Sequence, residues 1–209
     1  MRTRRDAITF LSAGLVATLP ISGSRADGLD EVKLGIPRTI SDAAFYACVH
    51  NGYFEQQKLN VTFVHFQAGS QMVAPLGAGQ VDAATGATSA GLYNAIARGI
   101  DIKIVADKSS NMPDYCYMPL MVRKDHVESG RYKDLSDLKG FKIAEAGKGG
   151  CPGSTLNEAL KRGGLNYDDA VHLYNMPYPD MVGALGNKAI DAAIVTEPTV
   201  AVALTKDVA

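Results

Sequence analysis

The chain has 209 residues, of which 46% are hydrophobic and 21% charged, with a formal net charge of −1. That length allows one or two domains, and the composition is that of an ordinary globular protein. The near-neutral balance offers no electrostatic footprint for nucleic acid, which excludes that class of partner.

The first 26 residues read as a removable secretory signal. Arg2, Arg4 and Arg5 make a basic start, and Ala7 to Ile21 is apolar but interrupted by Ser, Thr, Gly and Pro20. Ser24-Arg25-Ala26 then offers small residues where a signal peptidase reads. The stretch is too short and broken to serve as a membrane anchor. Thr3-Arg4-Arg5-Asp6 is compatible with twin-arginine export, although Ala7 stands where that signal carries a bulky apolar residue. The expected location is a periplasm.

Val32 to Ile36 alternates apolar residues before Pro37 and predicts a strand. Ser41-Asp42 caps a helix through His50, stopped at Asn51-Gly52. Asn60 to Phe66 is a strand, Gly69-Ser70 opens a second helix, and Val81 to Thr85 forms a third β segment. Thr88-Ser89 caps a helix running to Arg98-Gly99, and Ile102 to Ala106 predicts a buried strand. Tyr115 to Val122 is extended and leads into a polar stretch ending at Asp137-Leu138-Lys139-Gly140. A second set follows: a strand from Phe141 to Ala144, a helix from Ser154 to Arg162, and a strand from Val171 to Tyr174. A helix from Pro179 to Gly186, a strand from Ala192 to Val195 and a last helix from Pro198 complete it. Strand and helix alternate in both halves, which implies mostly parallel sheets covered by helices.

The two halves share a phrase. Leu76-Gly77 is followed after three residues by Val81-Asp82-Ala83-Ala84, and Leu185-Gly186 after three residues by Ile190-Asp191-Ala192-Ala193. The offset is 109 residues (185 − 76) and neither copy has a gap. This period is too long for a solenoid unit. It predicts two lobes of like build with a ligand cleft between them. The matched Asp82 and Asp191 point to a structural role in the turn rather than to catalysis.

Four strand-to-helix junctions place Ser, Thr or Gly where a helix begins: Thr39 to Asp42, Gly69-Ser70, Thr85 to Ser89, and Gly153 to Thr155. Any one of them is accounted for by helix capping. Four together, outside the carboxyl ends of parallel strands, suit a small oxyanion or carboxylate. The candidate binding residues are therefore Arg38, Thr39, Ser41, Ser70, Thr88, Ser89, Ser154, Thr155, Tyr178, Thr196 and Glu197. Arg38 is a possible carboxylate clamp or a solvated cation, and Glu197 either faces the cleft or lies on the surface. Tyr46, Tyr115 and Tyr178 offer stacking rings, with Tyr46 also readable as core.

Gly147 to Ser154 is not a nucleotide phosphate loop, because Lys148 does not directly precede a hydroxyl residue; it reads as an anion-tolerant loop with Lys148 as a possible point charge. His50, His65, His126 and His172 lack ligand spacing, so neither a metal nor a cofactor is expected. Cys48 reads as a small buried hydrophobe, while Cys116 and Cys151 fall near the expected cleft as a possible pair or ligand neighbours. No local base accompanies either thiol, so no catalytic residue is assigned.

The ordered set Val32 to Ile36, Asn51-Gly52-Tyr53-Phe54, Leu76 to Asp82, Asp137 to Gly140, Ile190 to Ala193 and Thr196-Glu197-Pro198 resembles the nitrate/sulfonate/taurine-type solute-binding proteins of ABC importers. That group includes the thiamine-pyrimidine-precursor (NMT1/THI5-like) proteins. The resemblance implies an α/β periplasmic-binding-protein fold of the second type, with lobe one at 27–116 and lobe two at 117–206. It implies a monomer that captures a small-molecule ligand and delivers it to an inner-membrane ABC permease. Carried over by position, the family's binding residues fall on Ser41, Ser70, Thr88, Ser154 and Thr196-Glu197. An enzyme or binding protein of thiamine-pyrimidine-precursor metabolism is the alternative, although the cysteine-rich run of that branch is absent. The family's chain returns to lobe one at its end, and this sequence stops at Asp207-Val208-Ala209. A truncated form with an open lobe one, poor stability and weak binding is the expectation.

Overall fold

The computed structural model describes residues 28–110 and 116–209. The proposed signal at 1–26 and Tyr115 lie outside the described residues.

Lobe one opens with β1 (Asp30–Ile36), whose carboxyl end alone is buried, at Leu34, Gly35 and Ile36. A 3-10 turn at Ile40–Asp42 leads into α1 (Ala43–His50), and α2 (Tyr53–Gln56) follows. β2 (Leu59–His65) pairs parallel to β1. A second 3-10 turn (Gly69–Met72) runs into α3 (Val73–Gly77), then β3 (Ala83–Ala84) and α4 (Ala90–Ala97). β3 lies on the other side of β1, also parallel, so the sheet order is β2-β1-β3.

Lobe two begins with β4 (Leu120–Val122) and α5 (Lys124–Glu128). β5 (Lys142–Ala144), α6 (Cys151–Arg162) and β6 (Val171–Leu173) follow, then α7 (Tyr178–Gly186), β7 (Ala192–Ile194) and α8 (Thr199–Thr205). The sheet order is β4-β7-β5-β6, with β4 antiparallel and the rest parallel. Apolar clusters cover both of its faces. One is built on Ala144, Met181, Leu185 and Ala193, the other on Phe141, Ile143, Leu156 and Ile194.

The sequence repeat is a repeat of pairing. Leu34 faces Ala83 and Gly35 faces Ala84 in lobe one. Ile143 faces Ala192 and Ala144 faces Ala193 in lobe two, each residue shifted by the same interval. Lys33 likewise faces Thr62, and Lys142 faces Val171. The two aspartates occupy matched positions. Asp82 donates its N–H to the Lys33 carbonyl at 2.9 Å, and its Oδ2 accepts the Lys33 N–H at 2.8 Å. Asp191 does the same with Lys142, at 2.8 and 2.9 Å. A carboxylate accepting a backbone N–H forms a charge-assisted bond, stronger than a neutral one. It ties the start of one strand to its neighbour and sets the register of the pair. The turn ahead of each aspartate needs a left-handed residue, and the lobes meet this with Gly79 (φ 68°) and Lys188 (φ 65°).

The lobes differ in how the repeated strand is flanked. β7 has β5 on one side and β4 on the other, whereas β3 has only β1 among the described residues. The predicted buried strand at Ile102–Ala106 is corrected by this difference. Residues 102–106 carry no strand pairing; Ile102 is buried, but Ile104 is 57% exposed and Val105 90% exposed. An apolar run is buried as a strand only when a neighbour supplies its hydrogen bonds, and here the run and β3 line one cavity without pairing. The predicted strand at Val81–Thr85 shrinks to Ala83–Ala84 for the same reason. α1 contains no buried residue, and its Tyr46 meets Phe63 edge-on at 5.0 Å between ring centres.

Asp191 carries more than its counterpart. It is close to His126 Nε2 at 2.7 Å and to Arg123 and Arg131 at 3.7 and 3.9 Å. Burial pushes its carboxyl up, but the Lys142 N–H, His126 and Arg131 together hold it below the usual carboxylate range. A carboxyl depressed in the folded state adds stability above its unfolded pKa of about 4 and loses it as pH falls through the folded value. Asp191→Ala is expected to cost about 2–3 kcal/mol in urea unfolding near neutral pH. Asp82→Ala, at an exposed site, is expected to cost less, and the Asp191→Ala deficit should narrow as the titration is taken below about pH 4.

Candidate functional site

A cavity of about 630 Å³ lies between the lobes. Its lobe-one wall comes from the loops after β1, β2 and β3, which bring Thr39, Ser41, Ser70, Thr85 and Thr88 to its surface. Its lobe-two wall includes Tyr117, Gly147, Gly150, Cys151, Tyr178 and Thr196. The hydroxyls sit among Leu34, Phe45, Met72 and Ile102, so the walls are mainly apolar with a few polar groups. This is the usual make-up of a small-molecule site. A second depression of about 660 Å³, between Tyr174, Asn187 and Lys206, lies on lobe two alone and does not draw on lobe one.

Contacts between the lobes flank the cavity, and three of them are close backbone approaches among the described residues. The Ile40 N–H donates to the Glu197 carbonyl at 3.0 Å, and the Ala90 N–H donates to the Gly149 carbonyl at 3.0 Å. At the third, a Cβ added to Gly147 would lie 2.8 Å from Ser70 Oγ and 3.1 Å from the Ala68 Cβ, so any larger residue must displace both. Within lobe one, Gly69 and Gly86 approach each other just as closely, a Cβ on Gly86 falling 2.9 Å from the Gly69 Cα. These backbones meet because neither residue has a side chain.

Of the residues expected from sequence, Thr39, Ser41, Ser70, Thr88, Tyr178 and Thr196 line the cavity. Arg38 does not; it is exposed, with φ 59°. Ser89 is buried and accepts the Leu92 N–H at 3.1 Å, acting as the N-cap of α4. Ser154 and Thr155 are not at a strand-to-helix junction. α6 starts at Cys151, with Gly150 as its N-cap and Pro152 in its first turn, so both residues sit inside the helix and Ser154 is exposed. The Glu197 carboxylate accepts the Ala201 N–H at 3.1 Å and so is taken up by the start of α8.

All three cysteines are free thiols. Cys116 is exposed and away from the wall, which leaves Cys151 alone in the cavity, with its thiol pushed up by burial against the opposing Thr155 hydrogen bond. A raised thiol pKa disfavours the nucleophilic thiolate. Burial pushes the Tyr178 phenol up to about 12 against the opposing hydrogen bond with Thr196, so it stands in the wall un-ionised. Among the described residues no group of three or more His, Cys, Asp or Glu could hold a metal ion.

Asp42, expected only as a helix cap, and Lys108 take a place at the site that the sequence did not indicate. Asp42 is fully buried, and it accepts four hydrogen bonds: from the Thr39 N–H at 2.7 Å, Thr39 Oγ1 at 3.3 Å, Thr85 Oγ1 at 3.0 Å and Lys108 Nζ at 2.7 Å. Thr39 Oγ1 lies 2.8 Å from Ser41 Oγ, so the network runs from the end of β1 to the cavity wall. Its local signal was the capping box formed by Thr39 and Asp42. Lobe two holds a separate buried cluster under α6. Glu145 Oε1 accepts the Tyr167 hydroxyl at 3.1 Å and lies 3.0 Å from His172 Nδ1, while His172 stacks on Tyr167 at 3.9 Å. Glu145 Oε2 has no hydrogen-bond partner among the described residues and lies beside Gly153, where an added Cβ would come within 2.9 Å.

The family model for the NMT1-like family matches residues 25–208. The chain belongs to this family. No curated protein is significantly similar in sequence. Among solved structures, the chain resembles the alkanesulfonate-binding protein SsuA from Xanthomonas axonopodis pv. citri, bound to MOPS, at 21% identity and a TM-score of 0.65. That match covers 88% of this chain and 60% of the other. The periplasmic aliphatic sulphonate-binding protein SsuA from Escherichia coli matches at 25% identity and a TM-score of 0.61, over 84% of this chain and 54% of that one. The periplasmic nitrate-binding protein NrtA from Synechocystis PCC 6803 matches at 17% identity and a TM-score of 0.67, over 86% and 50%. The chain therefore has the fold of these proteins and spans about half to three-fifths of their length. No helix among the described residues is long and apolar enough to cross a membrane.

A branched side chain at Gly147 has nowhere to go without moving Ser70 and Ala68. Gly147→Val is expected to wedge the lobes apart, which small-angle X-ray scattering would register as a larger radius of gyration than wild type.

Proposed function

We propose that this chain is the extracytoplasmic solute-binding component of an ABC importer, capturing a small anion or organic solute between two lobes for delivery to a membrane permease. The observation that carries this reading is the cavity itself. It lies at the seam of two repeat-related lobes and gathers Thr39, Ser41, Ser70, Thr88, Tyr178 and Thr196 from both sides. Loops at the carboxyl ends of parallel strands are where open α/β sheets bind ligands. Hydroxyl groups hydrogen-bond an oxyanion without adding charge. The sulfonate- and nitrate-binding proteins that share the fold support the same ligand class. Capture rather than turnover is the reading supported by the binding proteins that share the fold.

A ligand that binds only the folded state stabilises it by RT ln(1 + [L]/Kd), so the melting temperature climbs with the logarithm of ligand concentration once that concentration exceeds Kd. A thermal-shift series with methanesulfonate, taurine, nitrate and acetate is expected to give a rise that grows with the logarithm of concentration for at least one, and NMR of the recovered ligand should show it unchanged. A flat response to all of them, or a chemically altered ligand, would overturn the reading.

A further inference from the structure

The cavity wall carries one cation whose head group is held in place. Lys108 lines the cavity, and only 21% of its side chain is exposed. Its Nζ donates to Asp42 Oδ1 at 2.7 Å and lies 3.5 Å from Thr85 Oγ1. Thr85 has given its own hydroxyl proton to Asp42, so towards Lys108 it is the acceptor. An ammonium has three N–H donors. Two are used here, and the third has no partner among the described residues.

The other cations near the cleft are placed differently. Lys103 pairs with Asp101 at 3.7 Å and its side chain is 77% exposed. Arg38 is exposed and outside the wall, and Lys148 lies 5.4 Å from the centre of the Tyr174 ring in lobe two. Asp42 is saturated by its four donors and has no lone pair to offer a ligand. Its remaining effect is to fix where the Lys108 charge points and to compensate the cost of burying it.

We propose that Lys108 is the group that receives the negative charge of the bound solute, with Asp42 as its positioning residue. The solute is then an organic anion. Its oxygen-bearing head meets Lys108 beside the hydroxyls of Thr39, Ser41 and Ser70, and its carbon body lies along Phe45, Met72 and Ile102. This rests on the anion-binding reading of the cleft.

The test uses the 209-residue chain in isothermal titration calorimetry with methanesulfonate and its neutral analogue dimethyl sulfone. Wild type is expected to prefer methanesulfonate. Lys108→Met should weaken methanesulfonate roughly tenfold or more, the loss of one charge-assisted contact, and leave dimethyl sulfone unchanged. If Lys108→Met unfolds through the orphaned Asp42, the double variant Asp42→Asn/Lys108→Met removes both charges together and is expected to fold with the same selective loss. Undiminished methanesulfonate binding in a folded variant overturns the role of Lys108 and leaves the proposed function standing. Equal wild-type affinity for the two probes also overturns that role. Failure of wild type to bind methanesulfonate, nitrate or acetate overturns both.

Discussion

A carboxylate that accepts a backbone N–H from the neighbouring strand holds each lobe in register. Asp82 binds Lys33 in this way and Asp191 binds Lys142, with nearly the same distances. A slip of one residue would turn every side chain of a strand to the opposite face. The short strands β3 and β7 cannot resist such a slip through their own ladder bonds. The aspartate clamp supplies that resistance at the first residue. With register set, the loops after the strands emerge at defined places, and the cleft hydroxyls follow from it.

The same clamp works in two unlike settings. In lobe two it is surrounded by His126, Arg123 and Arg131 and by a sheet covered on both faces. In lobe one it holds an edge strand whose outer side lies open to the cavity. Lobe two therefore has the more continuous core, while lobe one presents Ile104, Val105 and Tyr46 to solvent. The two-lobed plan gives the cleft one well-packed wall and one thinly supported wall.

Sequence patterning conveyed what depends on near neighbours. The repeated phrase was readable because glycine, turn and aspartate each have a local physical task, and Ser89 was readable as a cap because its hydroxyl serves the N–H three residues on. One difference has a local cause. Pro152 marks the first turn of α6, and giving weight to Ser154 instead placed the helix start one turn late. Arg38 was open between a clamp and a solvated cation, and its exposed position outside the wall agrees with the second. The remaining gaps are non-local. Ile102–Ala106 has the composition of a buried strand, but burial depends on a neighbour that composition does not reveal. Lys108 looks like any solvated lysine until the fold brings it to Asp42, 66 residues away in the chain.

Ala68 belongs to lobe one by sequence and is buried in the same apolar cluster as the lobe-two residues Ala146 and Met181. Its methyl is a peg between the two bodies. Withdrawing one methyl from an apolar socket costs only about 1 kcal/mol. The peg adds an apolar contact to the Ile40–Glu197 and Ala90–Gly149 hydrogen bonds, so the seam is held by packing and by backbone polarity together.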